Sequence, residues 1–254
     1  MLSSKNNPRI LLFDIETTPV NAYVWQLWDT NVIKVVKDWN MLCFAYKWLG
    51  EKETHVVALP DFKARYKANK SDDLDVCVSL WKLLNEADIV IAHNGDAFDI
   101  KKANARFIMN GMPPPSSYVQ IDTKKIAKKY FNFSSNSLKD LARYFGVKQK
   151  ADAGGFGTWE GCMAGDKKAW EHMKEYNKQD VVVLEEVYLT MRPWMNRFPV
   201  TNNSLQCPKC ASKKMQKRGF ERTVTGIQYQ RYHCQDCGGW SRSRLSEEDK
   251  PTLR

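Results

Sequence analysis

Arg9 to Phe13 is an almost unbroken apolar run that closes on Asp14-Ile15-Glu16. A run this short and this apolar predicts a strand buried on both faces, near the middle of a sheet. Trp39–Trp48 and Thr54–Leu59 flank Leu49-Gly50-Glu51-Lys52 and predict an antiparallel hairpin. Val76, Leu80, Leu83 and Leu84 have helical spacing within Asp72–Glu86. Asp88–Ala92 predicts a second apolar strand. A helix over Ala97–Asn110 follows, stopped by Gly111 and Pro113-Pro114-Pro115. Another strand is predicted at Tyr118–Ile121, then helices at Thr123–Tyr130 and Ser137–Phe145, the latter closed by Gly146. Lys148–Gly165 holds five glycines and predicts a long loop. Asp166–Met191 predicts a long amphipathic helix ended before Pro193. Strands first in a meander and then alternating with helices give an α/β chain, a mixed sheet with helices on its faces. Pro199–Ser204 is polar and predicts a linker, dividing the chain into domains over 1–198 and 199–254.

Four carboxylates stand out against this pattern. Asp14 and Glu16 are two apart on a strand, so both point to one face. Like charges this close repel unless a cation lies between them. A solvated pair at a strand end is the bland alternative. Asp99 falls in the first turn of its helix, where it could equally stabilise the positive helix end, with Asp96 as the cap. Asp180 lies on the apolar stripe of the last helix, through Met173, Tyr176, Leu184, Val187 and Met191. A carboxylate there needs a metal or a basic partner. Converging at one sheet edge, the four could hold two divalent ions about 4 Å apart, as in-line phosphoryl displacement requires. Asp122, at a strand end, reads instead as the cap of the helix after it.

Composition adds a preference for polyanions. The 254 residues carry 39 Lys and Arg against 29 Asp and Glu, a net +10, of which +6 falls in 199–254. No apolar run approaches a membrane span and the first residues lack a signal-peptide pattern, so the expected compartment is the cytoplasm.

The cysteines divide into three scattered ones, Cys43, Cys77 and Cys162, and four arranged in pairs near the C-terminus. Cys207-Pro208-Lys209-Cys210 and Cys234-Gln235-Asp236-Cys237 are CxxC knuckles with the spacing of a structural four-cysteine zinc site, with redox chemistry the alternative. Phe220–Tyr232 between them predicts strands around a turn at Gly226. His233 is a competing ligand that two complete knuckles make unnecessary. A module of this size builds little core, so one Zn²⁺ would supply folding energy.

At this point the residues resemble a known family. Phe13-Asp14-Ile15-Glu16-Thr17-Thr18, His93-Asn94-Gly95-Asp96-Ala97-Phe98-Asp99 and Tyr176-Asn177-Lys178-Gln179-Asp180 resemble, in order, the three motifs of the DEDD (DnaQ-like) 3′-5′ exonucleases of the ribonuclease H-like fold. The resemblance covers about residues 9 to 195. It implies a ribonuclease H-like mixed sheet and hydrolysis from a 3′ end with two Mg²⁺ or Mn²⁺ held by Asp14, Glu16, Asp99 and Asp180. Glu175 stands where the histidine branch has its His, and Tyr176 fits the tyrosine branch (DEDDy), so its hydroxyl would orient the attacking water. Asn94 would help hold the 3′ nucleotide, with turn formation an equal alternative. Cys207–Trp240 resembles zinc ribbons appended to transposases and other DNA-handling proteins. Its basic residues, with Tyr229, Tyr232 and Trp240, are expected to contact nucleic acid. The expected partners are nucleic acid, DNA before RNA, and proteins of replication or repair, in a prokaryotic cell or phage-infected host. A structure-specific endonuclease of the same fold and an inactive nucleic-acid-binding module are the alternatives.

Overall fold

The computed structural model describes residues 8–28, 30–147, 154–196 and 205–246. The chain divides into two compact units, Arg9–Val187 and the stretch from Tyr188 onward. The expected linker at Pro199–Ser204 lies outside the described residues.

The first unit is built on a five-stranded sheet. Its strands are β1 (Ile10–Thr17), then β4 (Met41–Trp48), β5 (His55–Ala58), β6 (Ile89–Ala92) and β7 (Val119–Asp122). Between β1 and β4 runs a separate two-stranded hairpin, β2 (Asn21–Tyr23) and β3 (Lys34–Lys37). The main sheet has the order β5-β4-β1-β6-β7. β1 is therefore central, antiparallel to β4 and parallel to β6, which explains why its sequence is apolar on both faces. Leu11, Leu12 and Phe13 are fully buried.

The helices of this unit are α1 (Lys63–Ala68), α2 (Leu74–Glu86), α3 (Asp99–Met109), α4 (Thr123–Tyr130), α5 (Leu138–Phe145), α6 (Phe156–Ala164) and α7 (Lys167–Met191), the last continuing into the second unit. Ser137 caps α5 through its hydroxyl and Gly146 ends it at φ 70°. The mixed sheet flanked by helices is the α/β architecture expected from the sequence. The long loop expected over Lys148–Gly165 is a correction, because Phe156–Ala164 is helical. Glycines mislead there for a physical reason. Gly165 closes the helix in the left-handed region (φ 90°), and a Cβ on Gly161 would meet Ala169 Cβ at 2.5 Å. Gly161 thus lets α6 lie close against α7, and this packing outweighs the roughly 1 kcal/mol that a helical glycine costs.

A buried polar lock ties the sheet to its helices. Asp73, fully buried, accepts two bonds from Arg106 at 2.6 and 2.7 Å, one from Asn110 at 3.2 Å and one from the Met41 N–H at 2.8 Å. It joins the start of α2, the end of α3 and the start of β4. Removing one side of such a pair strands the other charge.

In the second unit, β8 (Met215–Arg222), β9 (Gln228–Cys234) and β10 (Trp240–Arg242) form an antiparallel sheet in the order β10-β9-β8. The turn at Gly226 (φ 86°) joins β8 to β9, as its sequence suggests. Among the described residues, no helix is long and apolar enough to cross a membrane.

Asp73→Ala is expected to destabilise the first unit by about 3–5 kcal/mol. The check is the urea midpoint, which falls strongly in this variant and little for an exposed substitution such as Lys63→Ala.

Candidate nuclease site and zinc centre

The site begins with strand register. Asp14 lies opposite Ala45 and Glu16 opposite Cys43 on β4, so both acids share a face with small side chains. A bulge between Glu16 and Thr17 then ends the regular pairing. Helix α7 crosses this face. Its buried seam runs through Met173, Asn177, Leu184, Val187 and Met191, with Asp180 half-buried in line with them. The oxygens of Asp14, Glu16 and Asp180 all lie within 4.8 Å of one another.

Asp99 is adjacent but outside that tight group. It is 2% exposed, and its Oδ1 accepts the Ile15 N–H at 3.1 Å. Its charge still acts on the cluster. Asp14 is pushed well above the usual carboxylate range by burial, then by the charges of Asp99, Glu16 and Asp180. Burial, then Asp180 and Asp99, pushes Glu16 up to about 8. Burial raises Asp99 to about 7 and Asp180 to about 6. Burial is the leading cause throughout, and for Asp14 and Glu16 the crowding of like charges adds to it. Such a donor set fits divalent cations, hard ions that prefer oxygen and would offset the repulsion.

Tyr176 stands one turn before Asp180 on α7, where its hydroxyl favours the ionised Asp180 carboxylate. Burial and the charges of Asp180 and Glu16 raise the phenol well above its ordinary value, so it stays protonated and keeps a proton to donate. Its ring packs edge-on against Trp159 of α6 at 6.3 Å. The helix that replaces the expected loop is therefore part of the wall of the site. Between α6 and the end of β1 opens a cavity of about 530 Å³, lined by Thr17, Thr18, Trp39, Lys102, Phe156 and Trp159 among others.

Other motif residues make structural contacts. His93 is bonded on both ring nitrogens, to Thr123 Oγ1 at 2.9 Å and Asn136 O at 3.1 Å, and burial lowers its pKa to about 4. Asn94 stands in the left-handed region at φ 64° and donates its N–H to Asp122. Asp122 caps α4 by accepting from the N–H groups of Lys124 and Lys125, as read from the sequence. Asp96 does not cap α3; it pairs with Lys125. His172 and Glu175 are exposed on α7.

One residue escapes the sequence reading. Asn177, fully buried, donates from Nδ2 to Asp14 Oδ2 at 2.7 Å and to Asp14 O at 3.3 Å, and its Oδ1 accepts from the Cys43 thiol at 3.6 Å. A signal was available: 173, 177, 180, 184, 187 and 191 step by four and three, which is the true seam of the helix.

With this geometry in place, the comparisons decide the family. Residues 11–192 match the family model of the RNase H superfamily. The chain belongs to the RNase H superfamily. It is similar to a DNA polymerase III of PolC type from Ureaplasma parvum serovar 3, 23% identical over 219 residues. That match covers 85% of this chain and only 14% of the polymerase. The family B DNA polymerase of the hyperthermophilic archaeon Pyrobaculum calidifontis shares the fold, with a TM-score of 0.52 at 15% identity. That comparison spans 74% of this chain and 25% of the polymerase. The acid cluster of this RNase H-like unit thus lies on a fold whose superfamily includes nucleases that use divalent metals.

The four terminal cysteines form the second centre. All four sulfurs lie within 4.8 Å of one another, with Cys207–Cys237 at 3.7 Å and Cys210–Cys234 at 3.6 Å. A tetrahedral zinc with Zn–S of about 2.3 Å has S···S edges of about 3.8 Å, so the set fits Zn²⁺. Each knuckle turns through a left-handed residue after its second cysteine, Ala211 at φ 62° and Gly238 at φ 68°. Burial is the largest influence on Cys234 and would raise it, but the N–H groups of Cys237 and Asp236 together with the Cys210 and Cys237 sulfurs lower the thiol to about 7. His233 stacks on Trp240 at 4.6 Å and is not a member of the sulfur cluster. The aromatics expected to meet bases already carry partners: Arg242 covers Tyr229 at 4.2 Å, and Arg231 lies 4.8 Å from Trp240.

Two outcomes follow. Glu16, Asp99 and Asp180 have folded values of about 8, 7 and 6, raised from 4.5, 3.8 and 3.8. The folded chain then binds more protons than the unfolded one, so without added divalent ion the melting temperature falls as pH rises from about 5 to about 8. Added Mg²⁺ narrows that difference, and calorimetry at both pH values reads it. Secondly, Cys234→Ser is expected to drop bound zinc from one ion per chain to none while Arg9–Val187 stays folded, measured by metal analysis and circular dichroism.

Proposed function

We propose that this protein is a metal-dependent 3′-5′ exonuclease of the DEDDy type that releases nucleoside monophosphates from nucleic acid, DNA before RNA. The observation that carries this is the cluster of Asp14, Glu16 and Asp180 oxygens within 4.8 Å, with Tyr176 one turn away. Asp14, Glu16, Asp99 and Asp180 would hold Mg²⁺ or Mn²⁺. When bound, those ions supply charge neutralisation and a more acidic water.

The chain's own side chains do the rest. Asp99, tied to the Ile15 N–H, stands beside the tight group as the fourth ligand. Tyr176, kept protonated one turn before Asp180, would orient an attacking water rather than deprotonate it. The cavity beyond Thr17 matches the size range of small-ligand pockets and would take the terminal nucleotide, and Asn94 would help to hold it. The zinc ribbon would grip the backbone with Lys213, Lys214, Lys217, Arg218, Arg222 and Arg244. Its Arg231 and Arg242 are partly engaged with Trp240, Tyr229 and Glu221. The PolC-type relative favours partners in replication or repair.

The test is timed digestion of 3′- and 5′-labelled oligonucleotides in Mg²⁺. Asp14→Ala and Asp180→Ala each lower mononucleotide release by at least about a thousandfold. Tyr176→Phe lowers it by about a hundredfold with the fold intact. Full activity in both aspartate variants would sink the proposal, and efficient cutting of circular substrate would replace the exonuclease reading with an endonuclease.

A further inference from the structure

The hairpin β2–β3 is the least explained part of the first unit. It forms a two-stranded sheet of its own, and such a pair is marginal in water without something to cover it. Its connecting segment displays Trp25 at 86%, Leu27 at 84% and Trp28 at 81% exposure. Tyr23, at 63%, continues the surface onto β2. Tryptophan is normally among the best-covered side chains, and an exposed cluster this large marks a contact surface.

Its position says which contact. The hairpin leaves β1 only four residues after Glu16. Its two feet, Val20 and Trp39, are both walls of the 530 Å³ cavity, whose other walls include Thr17, Phe156 and Trp159. Aromatic side chains therefore stand both at the tip of the hairpin and, with Trp39, at its foot on the wall of the cavity. The charge leaves room for a polyanion: residues 20–39 balance Asp29 and Asp38 with Lys34 and Lys37, and Lys102, from α3, lies over the Trp39 ring at 3.7 Å. Every base presents a π-face, so exposed indoles bind unpaired strands with little regard for sequence, whereas a duplex hides those faces.

We infer that residues 20–39 form a stacking arm for single-stranded nucleic acid, which leads an unpaired 3′ end into the cavity and sets a preference for single strands or frayed ends. This rests on the exonuclease reading for its direction, though not for the binding itself.

The experiment measures binding and hydrolysis separately in the full-length zinc-loaded chain. Binding of labelled oligothymidylate and of a blunt duplex is measured in the Asp180→Asn background, with and without Trp25→Ala/Trp28→Ala. Both side chains are exposed, so folding should be unaffected, and thermal melting verifies this. The expected result is at least a tenfold weaker affinity for the single strand with duplex affinity unchanged, and recovery in Trp25→Phe/Trp28→Phe. Unchanged single-strand affinity, or an equal loss on duplex, overturns the inference. So does a double variant that binds normally but loses a self-association seen by sedimentation, which would make the hairpin a protein contact. Hydrolysis of thymidine 5′-(4-nitrophenyl phosphate) by the chain with Asp180 intact, which needs no upstream bases, should be unchanged by the two tryptophan substitutions. If that chain hydrolyses neither the ester nor oligonucleotides, the exonuclease reading fails, and the binding result still decides the arm.

Discussion

Repulsion among carboxylates is the constraint around which the first unit is organised. Asp14, Glu16 and Asp180 would separate if the backbone allowed it, and Asp99 adds its charge from just outside. The fold prevents this by placing two of them on the central strand, which has neighbours on both sides, and one on the longest helix. A central strand cannot shift register without exposing a whole buried set. Helix α7 is pinned across the same face by Asn177 on Asp14 and by the Lys47–Glu185 ion pair. The energy that holds the site together is therefore the ordinary packing energy of a sheet and a helix. The repulsion stored there is what a cation would relieve.

Much of this can be read from the chain. β1 is legible because a strand with neighbours on both sides and helices on both faces must be apolar throughout, and Asp14 and Glu16 break that pattern at its end. Asp180 is legible because it interrupts an apolar helical stripe. Asp122 is legible as a cap because capping is local chemistry. The residues that stay hidden depend on contacts made far along the chain. Asn177 looks like any helical polar residue until Asp14 and Cys43, more than a hundred positions earlier, are brought beside it. Helix α6 is hidden because glycine is locally a breaker, and only the approach of Ala169 shows why Gly161 is there. In the sequence Asp99 looks like an equal member of four, yet its separation from the other three depends on the Ile15 N–H.

The two candidate metal sites rest on opposite structural foundations. The RNase H-like unit has a core of its own, with fully buried Phe13, Phe44, Leu80 and Phe107, so its acids can be strained without loss of the fold. The ribbon has little besides Cys207 and Cys234 in its interior and depends on its four sulfurs being drawn together. Removing metal should therefore silence one unit and unfold the other.

Asp122 and Asp14 are the same residue type on strands of one sheet, yet their fates differ. Asp122 accepts backbone N–H groups from Asn94, Asp96, Lys124 and Lys125. Three of these meet Oδ1 and one meets Oδ2, so most of the roughly four lone-pair sites of this carboxylate are taken by the backbone. Among the described residues, Asp14 is met only by the Asn177 amide, and Glu16 by no donor. The backbone N–H groups thus mark the difference between the two: Asp122, fed by the backbone, ties two loops together, whereas Asp14 and Glu16 keep lone pairs that would be open to a cation.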